Sequence, residues 1–579
     1  MPTGPMEEDR FIEDPSDEDP VEDRAVGDGH VPGAAGDRDV GAFSATAPWI
    51  VRPDEMPWRA GVDALRRSEH RRVPDLIRAR VLPPARLAAV AATLGWAVAR
   101  WWVAARLRGR RGSRADLAHR LRVAFEALGA TFVKLGQVIA SADGMLPAEL
   151  VHEFKACRDQ VAPAPFDRVR AVLEAELGRP LDACFAELTE EPIAAASIAQ
   201  VHAGRLVGGE PVVVKVQRPG LDRIVERDLA AMAWLVPILG KRLRVALLAN
   251  LPAYLELFAE TIIEELDFRL EAQNMLDVAA LLARTDERPV VVPRPHGTLV
   301  TRRMLVMEPL RGFKIDDDRA MVAAGIDPTP VFHALLVSFF EGALVHGVFH
   351  GDLHGGNMMV TVDGRLGMFD FGITGRLSPR ARAALVRLLI GGTTNDVQLQ
   401  LRAFADLGGF PEGTDLQQVS DELRLDERAA ASPSQLSPEE LAAEVRELLA
   451  LLVDHGARLP KDLFLFVKGM IYLNGAIAVL AADVDVFSEL LSLFEYFTTH
   501  HGDQLSAETG VAVAEIPFDR EHLREQTKAQ VGLDVDRLTY RELRAHQAAE
   551  RGQASPGPEG AAAPRQDPDP TRQRGRPVG

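Results

Sequence analysis

The chain has 579 residues, of which 47% are hydrophobic, and a formal net charge of −18. This length leaves room for two or three domains with a large core, and the acidic balance argues against nucleic acid as a partner of the whole chain. Two cysteines, Cys157 and Cys184, are too few for a disulfide framework and favour a reducing, cytoplasmic setting. The N-terminus lacks a basic region followed by an apolar run, so that no secretory signal is expected.

The two ends of the chain are predicted to be disordered. Residues 1–40 contain 13 aspartates and glutamates against 3 arginines, and so charged a segment cannot form a core. We therefore predict an acidic disordered tail over residues 1–50. The polar residues 511–579, which end in a segment rich in proline, glycine and alanine, are predicted to form a second, mostly disordered tail.

Residues 55–190 are predicted to form a helical, basic region. Within it, the apolar segment Leu87–Arg106 is uncharged for only 13 residues, fewer than the about 20 residues that a membrane span requires. Arginines flank this segment, and it contains three tryptophans: Trp96, Trp101 and Trp102. Two interpretations remain open, a helix at a membrane interface and a helix packed on the protein with a solvated basic face.

A small mixed lobe is predicted for residues 191–310. The segment SIAQVHAGRLVGGEPVVVKVQ is typical of two strands joined at residues 208–209. Lys215 lies in the second strand, where on its own it indicates an exposed edge of the sheet. Together with the motifs that follow, it predicts a cation on the phosphates of a nucleotide, held by a glutamate of the next helix. The candidates for that glutamate are Glu271, which is favoured, and Glu264 and Glu265.

An alanine-rich loop, PIAAASIAQVH, precedes Lys215 at the place where a phosphate-binding loop normally carries glycines. Glycine permits positive φ angles and a close approach of the backbone to phosphate, whereas the alanine methyl group resists both. We expect nucleotide binding to persist and transfer to a protein substrate to be poor. The predicted nucleotide-binding residues are Ile193, Ala194, Ala195, Ala196, Ser197, Ile198, Ala199, Gln200, Val201, Lys215, Met307 and Glu308.

A large helical lobe is predicted for residues 311–510, and it contains the motif HGDLHGGN followed by a hairpin turned at residues 363–364. The turn brings the open ends of the hairpin together, so that Asn357 and Asp370 become neighbours with hard oxygen ligands suited to Mg²⁺. Asp352 precedes Asn357 by five residues. This is the spacing of a kinase catalytic loop, in which the aspartate positions or deprotonates the acceptor.

Two further features of this lobe have alternative interpretations. His350, Asp352 and His354 have a spacing that admits a zinc site, but no second His or Cys cluster lies nearby to complete a tetrahedral set, and this interpretation is disfavoured. The apolar segment that starts at Leu463 carries Lys468 within it, and also Asn474, so that it predicts a buried core helix rather than a membrane span.

The chain resembles the AarF/UbiB (ABC1-type) atypical kinase family over roughly residues 115–500. The resemblance rests on six motifs in the family's order: KLGQ (Lys134 to Gln137), AAASIAQVH, VVVKVQRPG, EELDFRLEA, HGDLHGGN and FDFG. It implies an α+β, atypical protein-kinase-like bilobal fold with a small mixed N-lobe (191–310), a large helical C-lobe (311–510) and an N-terminal helical extension. It also implies ATP or ADP and Mg²⁺ as cofactors and a role in isoprenoid-quinone or lipid metabolism.

The resemblance also implies roles for individual residues. Lys215 would bind the nucleotide phosphates, with Glu271 as its ion-pair partner, and Asp352 would be the catalytic aspartate. Asn357 and Asp370 would be the Mg²⁺ ligands. The extension would fold over the active site, occlude a protein substrate and meet the family's E-x-D element. The regulatory residues implied in these two segments are Lys134, Gln137, Glu265 and Asp267. On their own, these segments would indicate a snorkelling lysine and a solvated helical face.

The leading hypothesis is an ATP- and Mg²⁺-binding atypical kinase or ATPase that acts on lipid or quinone-pathway partners. A small-molecule phosphotransferase of the aminoglycoside or choline kinase type is disfavoured by the alanine loop and KLGQ, and a pseudokinase scaffold is left open although every catalytic position carries a competent residue. Expected partners are a nucleotide and membrane lipid or quinone-pathway proteins, without nucleic acid, and a homodimer is left open. The expected location is cytoplasmic, with peripheral attachment at the inner face of the cell membrane as an alternative.

Overall fold

The structure is a computed structural model that describes residues 56–78, 83–107, 113–140, 147–157, 162–242, 251–282, 290–394, 396–424, 452, 455–457, 460–516, 518–531 and 536–550. These residues belong to one compact unit of the chain, Val40–Gly579. The predicted acidic tail, residues 1–50, and the end of the chain from residue 551 lie outside the described residues.

Six α-helices occupy the described part of the predicted N-terminal extension. They are α1 (Val62–Ile77), α2 (Pro84–Leu107), α3 (Arg114–Leu128), α4 (Ala130–Ala140), α5 (Ala148–Phe154) and α6 (Phe166–Leu177). Gly129 separates α3 from α4 at a φ of 103°, a conformation that glycine adopts without strain. The ring of Phe125 makes T-shaped contacts with those of Phe132 and Phe154, and these contacts pack α3 against α4 and α5.

An antiparallel sheet forms the N-lobe. The strands in this part of the chain are β1 (Phe185–Leu188), β2 (Ala194–Ala195), β3 (Ala199–Leu206), β4 (Pro211–Gln217), β5 (Val290–Val291), β6 (Pro295–Val300) and β7 (Met304–Met307). All but β5 belong to this sheet, in the order β1-β3-β4-β7-β6 with β2 beside β3. The predicted β3–β4 hairpin is confirmed, and Gly209 in its turn has a φ of 98°.

The direction of Lys215 follows from the pleat of β4. Alternate side chains of a strand point to opposite faces of the sheet. Val214 and Val216 lie in a buried cluster with Leu173 of α6, so that Lys215 faces the other side. The helices that follow β4 are α7 (Leu221–Arg242), α8 (Leu251–Glu264) and α9 (Phe268–Leu282), and Lys215 meets the last of them.

The C-lobe contains short strands that carry the predicted motifs. They are β8 (Gly312–Lys314), β9 (Val348–His350), β10 (Met358–Thr361), β11 (Leu366–Met368) and β12 (Thr374–Arg376). One sheet has the order β5-β11-β10-β8, and β9 pairs with β12. The predicted β10–β11 hairpin is confirmed, with Met358 opposite Met368 and Gly364 in its turn at a φ of 81°.

Helices make up the rest of the C-lobe. They are α10 (Asp318–Ala323), α11 (Pro328–Glu341), α12 (Pro379–Thr393), α13 (Val397–Asp406), α14 (Leu416–Leu423), α15 (Lys461–Leu480) and α16 (Val486–Thr509). In α15, the predicted core helix, the ring of Phe466 stacks on that of Phe339 with centroids 5.3 Å apart. A Cβ at Gly469 would lie 2.5 Å from the ring of Phe339. The absence of a side chain there lets α15 approach α11 closely and brings it within reach of the loop after β9.

The segment predicted to be a second disordered tail forms two helices, α17 (Arg520–Val531) and α18 (Tyr540–Glu550). Leu523 and Leu538 are buried in a cluster with Phe487 of α16. The prediction of disorder from residue 511 is therefore wrong for the described residues up to 550. A few apolar side chains hold this segment on the C-lobe, and they are too few to change its polar average composition.

Two helices among the described residues are long and apolar enough to cross a membrane, judged by length and composition. They are Pro84–Leu107 and Pro328–His346. Over their most apolar 18 residues, the first is 11% buried and the second is 61% buried. The second is a core helix, in which Phe332, Leu335 and Phe339 are buried. The first is α2, and most of its apolar surface is exposed.

Candidate active site

Lys215 lies between two carboxylates. Its Nζ donates to Oε1 of Glu271 at 2.7 Å and to Oδ1 of Asp370 at 3.0 Å. Glu271 lies in the first turn of α9 and is buried. Burial opposes the charge of Lys215, but Asp370 and Glu271 raise its pKa above the ordinary value. Burial also raises the pKa of Glu271, and Lys215 opposes that shift. The lysine is therefore fully charged at neutral pH.

The two competing glutamates lie elsewhere. Glu264 pairs with His70 of α1 and with Lys461 of α15, whose Nζ is 3.3 Å away. Glu265 pairs with Lys134 of α4 at 2.9 Å. The structure thus places Glu271, the favoured candidate, beside Lys215 and gives each of the others a different cation.

The loop after β9 is held by its own backbone and by His350. The Nδ1 atom of His350 accepts the N–H of Asp352 at 3.0 Å, and its Nε2 donates to the carbonyl of Phe369 at 3.2 Å. Burial lowers the pKa of His350, which keeps the ring neutral. Both ring nitrogens are used for these bonds, and no group of three or more metal-ligating His, Cys, Asp or Glu side chains occurs among the described residues. These observations oppose the zinc interpretation.

Asn357 and Asp370 lie at the two open ends of the β10–β11 hairpin. The side-chain amide of Asn357 donates to the backbone carbonyl of Asp352 at 2.9 Å. The backbone carbonyl of Asn357 accepts the N–H of Phe369 at 3.0 Å. The first bond uses the amide nitrogen and leaves the amide oxygen to accept. The side chain of Asp370 is 45% exposed, so that it can be reached by a ligand. An amide oxygen and a carboxylate are the donors that Mg²⁺ prefers, and these two residues fit it.

Asp370 has a strained backbone. Its φ is 62°, and it is one of two non-glycine residues at positive φ in the described part of the chain. Such a conformation costs of order 1–3 kcal/mol and persists where the surroundings impose it. Asn274, one turn after Glu271 in α9, helps to impose it, because its amide donates to the carbonyl of Phe371 at 2.8 Å. Asn274 was not among the predicted site residues.

Asp352 is paired with a lysine that the sequence analysis did not place in the site. Nζ of Lys468 lies 2.8 Å from Oδ1 of Asp352, and the two side chains are 7% and 14% exposed. Burial would raise the pKa of Asp352, but Lys468 and Lys134 lower it below the ordinary value. The signal that could have found Lys468 is its position: a lysine inside an apolar helix needs a partner.

The predicted regulatory residues have different partners in the structure. Lys134 and Glu265 form a buried ion pair between α4 and the turn after α8, and burial raises the pKa of Glu265 to about 7 against the influence of Lys134. Gln137 lies one turn further along α4 and is half-buried. The carboxylate of Asp267 accepts the backbone N–H of Arg269 at 3.1 Å and its guanidinium at 2.6 Å. Asp267 therefore caps α9 and pairs locally there.

The alanine loop is a short, well-anchored turn. Ala194 and Ala195 pair with β3, and the N–H of Ala196 donates to the carbonyl of Ala199 at 2.8 Å. The guanidinium of Arg218 donates to the Ala196 carbonyl at 3.3 Å. Of the side chains of this loop, Ile193 and Ala194 are exposed, and Ala195 and Ala196 are half-buried. The buried members are Ser197, Ile198, Ala199 and Gln200.

The last two predicted nucleotide contacts, Met307 and Glu308, lie at the end of β7. Met307 pairs with Val213 of β4 and is 8% exposed. The N–H of Glu308 donates to the carbonyl of Arg294 at 3.0 Å, and its carboxylate accepts the N–H of Arg294 at 3.4 Å. The side chain of Glu308 thus ties β7 to the segment before β6.

Comparisons with known proteins identify the family of the chain. Residues 156–402 match the model of the ABC1 atypical kinase-like domain. An uncharacterized protein of Mycobacterium tuberculosis is 37% identical over 73% of this chain and 86% of its own length. The chain belongs to the ABC1 (AarF/UbiB) atypical kinase family. An uncharacterized chloroplastic aarF domain-containing protein kinase of Arabidopsis thaliana is 30% identical over 64% of this chain and 73% of its own length. A probable protein kinase UbiB of Marinobacter nauticus is 33% identical over 53% of this chain and 56% of its own length.

The predicted family and the kinase-like α+β bilobal fold are thereby confirmed. The matched ABC1 domain contains the five residues around Lys215 and the catalytic loop: Lys215, Glu271, Asp352, Asn357 and Asp370. Lys134 precedes the matched residues and Lys468 follows them. Two of the three lysines of the site therefore come from segments that flank the ABC1 domain.

Proposed function

We propose that this ABC1-family protein binds ATP or ADP with Mg²⁺ and transfers the terminal phosphoryl group of ATP to an acceptor or to water. The observation that carries the proposal is the double contact of Lys215, at 2.7 Å from Glu271 and 3.0 Å from Asp370. A phosphate-binding lysine held by a helix glutamate, beside the aspartate of a D-F-G segment, is the arrangement that kinases require.

Each group has a defined part in such a transfer. Lys215 would neutralise phosphate oxygens while Glu271 holds it in place. Asn357 and Asp370 would hold Mg²⁺, which supplies further charge neutralisation at the phosphates. Asp352 would orient the attacking hydroxyl or water. Because its pKa lies below the ordinary value, it is a weak base, and orientation is a larger part of its role than proton abstraction.

The acceptor is proposed to be a small molecule, a lipid or water rather than a protein. The anchored alanine loop supports this, because its methyl groups restrict how the backbone covers the phosphates. The ion pair of Lys134 with Glu265 supports it as well, because it fixes a helix of the extension beside the site. The pseudokinase alternative is disfavoured, since the five positions around Lys215 all carry competent side chains.

Nucleotide binding is the direct test. We expect a fluorescent ATP analogue to bind in the presence of Mg²⁺, and Lys215→Ala to weaken binding at least about tenfold. Asp370→Asn should abolish the Mg²⁺ dependence, because the amide replaces a charged ligand. Asp352→Asn should bind normally and lose turnover. Unchanged Mg²⁺-dependent binding in Asp370→Asn would show that the metal assignment is wrong.

A link to isoprenoid-quinone or lipid metabolism is part of the proposal. It is supported by the family and by the relative named as a probable UbiB kinase. The test is ATP hydrolysis with and without quinone-like phenols and liposomes. Stimulation by the phenols that is lost in Asp352→Asn would support the link, whereas equal rates under all conditions would count against it.

The exposed face of α2 supports a peripheral position at an anionic membrane. Trp96, Trp102 and Leu107 are 66%, 50% and 83% exposed. The guanidinium of Arg106 lies 4.1 Å from the centre of the Trp102 ring. Aromatic and apolar side chains beside arginines suit an interface with anionic lipid. Trp101 is different, because its Nε1 donates to the carbonyl of Ser113 at 2.9 Å.

Sedimentation with anionic liposomes tests this position. We expect the double variant Trp96→Ala, Trp102→Ala to remain largely in the supernatant and the wild type to sediment. The matched control is Trp101→Phe, which removes the bond to Ser113 and leaves the exposed face intact. Equal sedimentation of the double variant and the wild type would rule out this face as the lipid contact.

A further inference from the structure

Helix α15 carries a buried lysine, Lys468, that contacts the catalytic loop. Its Nζ lies 2.8 Å from Oδ1 of Asp352. One turn later, the ring of Tyr472 lies 5.7 Å from that Nζ and 6.1 Å from the ring of His354. The helix therefore meets the loop at two places, and one of them is the carboxylate that is proposed to orient the acceptor.

Packing does not account for a lysine at this place. Its neighbours on α15 are apolar, and Phe464, Leu465 and Phe466 are buried in the core. The attraction between two buried charges barely offsets the cost of removing them from water, so that an apolar pair of similar size would hold the helix equally well. A buried lysine beside a reactive carboxylate is better explained by chemistry than by stability.

The position of Lys468 complements that of Lys215. Lys215 contacts Glu271 and Asp370, on the side where the nucleotide phosphates and the metal are proposed to bind. Lys468 contacts Asp352, on the side where the acceptor is proposed to bind. During transfer the acceptor oxygen lies in line with the phosphorus, whose charge is spread over three equatorial oxygens. With Asp352 in its proposed role, a cation paired with it lies on the acceptor side of those oxygens.

We propose that Lys468 contacts the transferred phosphoryl group and stabilises its negative charge on the acceptor side. The inference rests on the proposed phosphotransfer function and adds a residue outside the matched domain, residues 156–402. The acceptor oxygen bonds to the γ-phosphorus, and the bond to ADP breaks with its electron pair leaving on ADP. The acceptor's proton passes to Asp352 or to solvent, and Lys468 keeps its own protons throughout.

The test uses MgADP alone and MgADP with aluminium fluoride, which mimics the planar phosphoryl group of the transition state. We expect Lys468→Gln to bind MgADP like the wild type and the fluoroaluminate complex at least about tenfold more weakly. Its kcat should fall while KM for ATP is unchanged, and Lys468→Arg should recover part of both losses. The matched control is Lys461→Gln, on the same helix about two turns earlier. Lys461 pairs with Glu260 and Glu264 of α8.

An Asp352→Asn background separates direct contact from positioning, and it also avoids an unpaired buried carboxylate if Lys468→Gln alone folds poorly. Weaker fluoroaluminate binding by Lys468→Gln in this background supports the contact with the phosphoryl group. No effect there means that Lys468 acts only through Asp352, and the proposal is overturned. Equal fluoroaluminate binding by the wild type and Lys468→Gln also overturns it. Failure of the wild type to bind MgADP overturns the proposed function itself, and this inference with it.

Discussion

Lys215→Met tests the structural cost of the charges around the site. Methionine keeps the length of the side chain and removes the ammonium that lies 2.7 Å from Glu271. At that distance, and at an effective dielectric constant of about 20, two unit charges attract by about 6 kcal/mol. The desolvation of both groups offsets part of this gain. Asp370 adds below about 1 kcal/mol, because its side chain is half exposed and solvated.

The net effect is set by the carboxylate left behind. Removing one partner of a buried ion pair costs about 3–5 kcal/mol, and we expect about 3 kcal/mol of lost unfolding free energy at neutral pH. Burial raises the pKa of Glu271 above its ordinary value, and the loss of Lys215 raises it further. A carboxyl group with a raised pKa stabilises the fold below its unfolded pKa, and this contribution is lost as pH rises through the folded pKa. The variant should therefore be destabilised less at about pH 5 than at about pH 8.

The assay is urea unfolding of the wild type, Lys215→Met, Glu271→Gln and the double variant at both pH values. The double variant should recover most of the loss, because it leaves no unpaired buried charge. A coupling free energy below about 0.5 kcal/mol would refute the reasoning, since that is the value expected of an exposed pair. The same conclusion would follow if the loss in Lys215→Met were independent of pH.

Three further predictions concern other parts of the molecule. Gly351→Ala places a Cβ 2.8 Å from Cγ2 of Ile373 and 3.1 Å from its carbonyl oxygen, and we expect kcat to fall at least about tenfold by displacement of the catalytic loop, with nucleotide affinity retained. Lys134→Met removes the cation that opposes the raised pKa of Glu265, about 7, so that the variant should lose more stability than the wild type between about pH 6 and about pH 8 in urea unfolding. Phe487→Ala opens the cluster that holds α17 and α18 and should cost about 3 kcal/mol locally, measured as faster proteolysis within these helices while MgADP binding is unchanged.

The sequence predicted the parts of the site that short motifs specify. Strand periodicity and two turn signals locate both hairpins, and the hairpin geometry predicts that Asn357 and Asp370 are neighbours. The sequence favours Glu271 but leaves Glu264 and Glu265 as competitors, because all three lie in the helical segment that follows Lys215. The structure decides among them through one distance, 2.7 Å from Glu271 to Lys215.

Contacts between distant segments were beyond sequence reasoning. Lys468 lies 116 positions after its partner Asp352, and no periodicity links two such segments. The E-x-D motif groups Asp267 with Glu265, but the two side chains have different partners. Asp267 caps α9, whereas Glu265 pairs with Lys134. The helices after residue 511 were missed because composition averages over the few apolar side chains that hold them.

The left-handed backbone of Asp370 lowers the stability of the fold at a residue that is proposed to hold Mg²⁺. Its φ of 62° suits glycine better than a residue with a side chain, and its half-exposed contact with Lys215 offsets little of that strain. Selection for a higher melting temperature alone would therefore favour replacement of Asp370, and with it the loss of the carboxylate that is proposed to hold Mg²⁺. Among thermostabilised versions of the chain, retention of aspartate at this position would mark those screened for function as well.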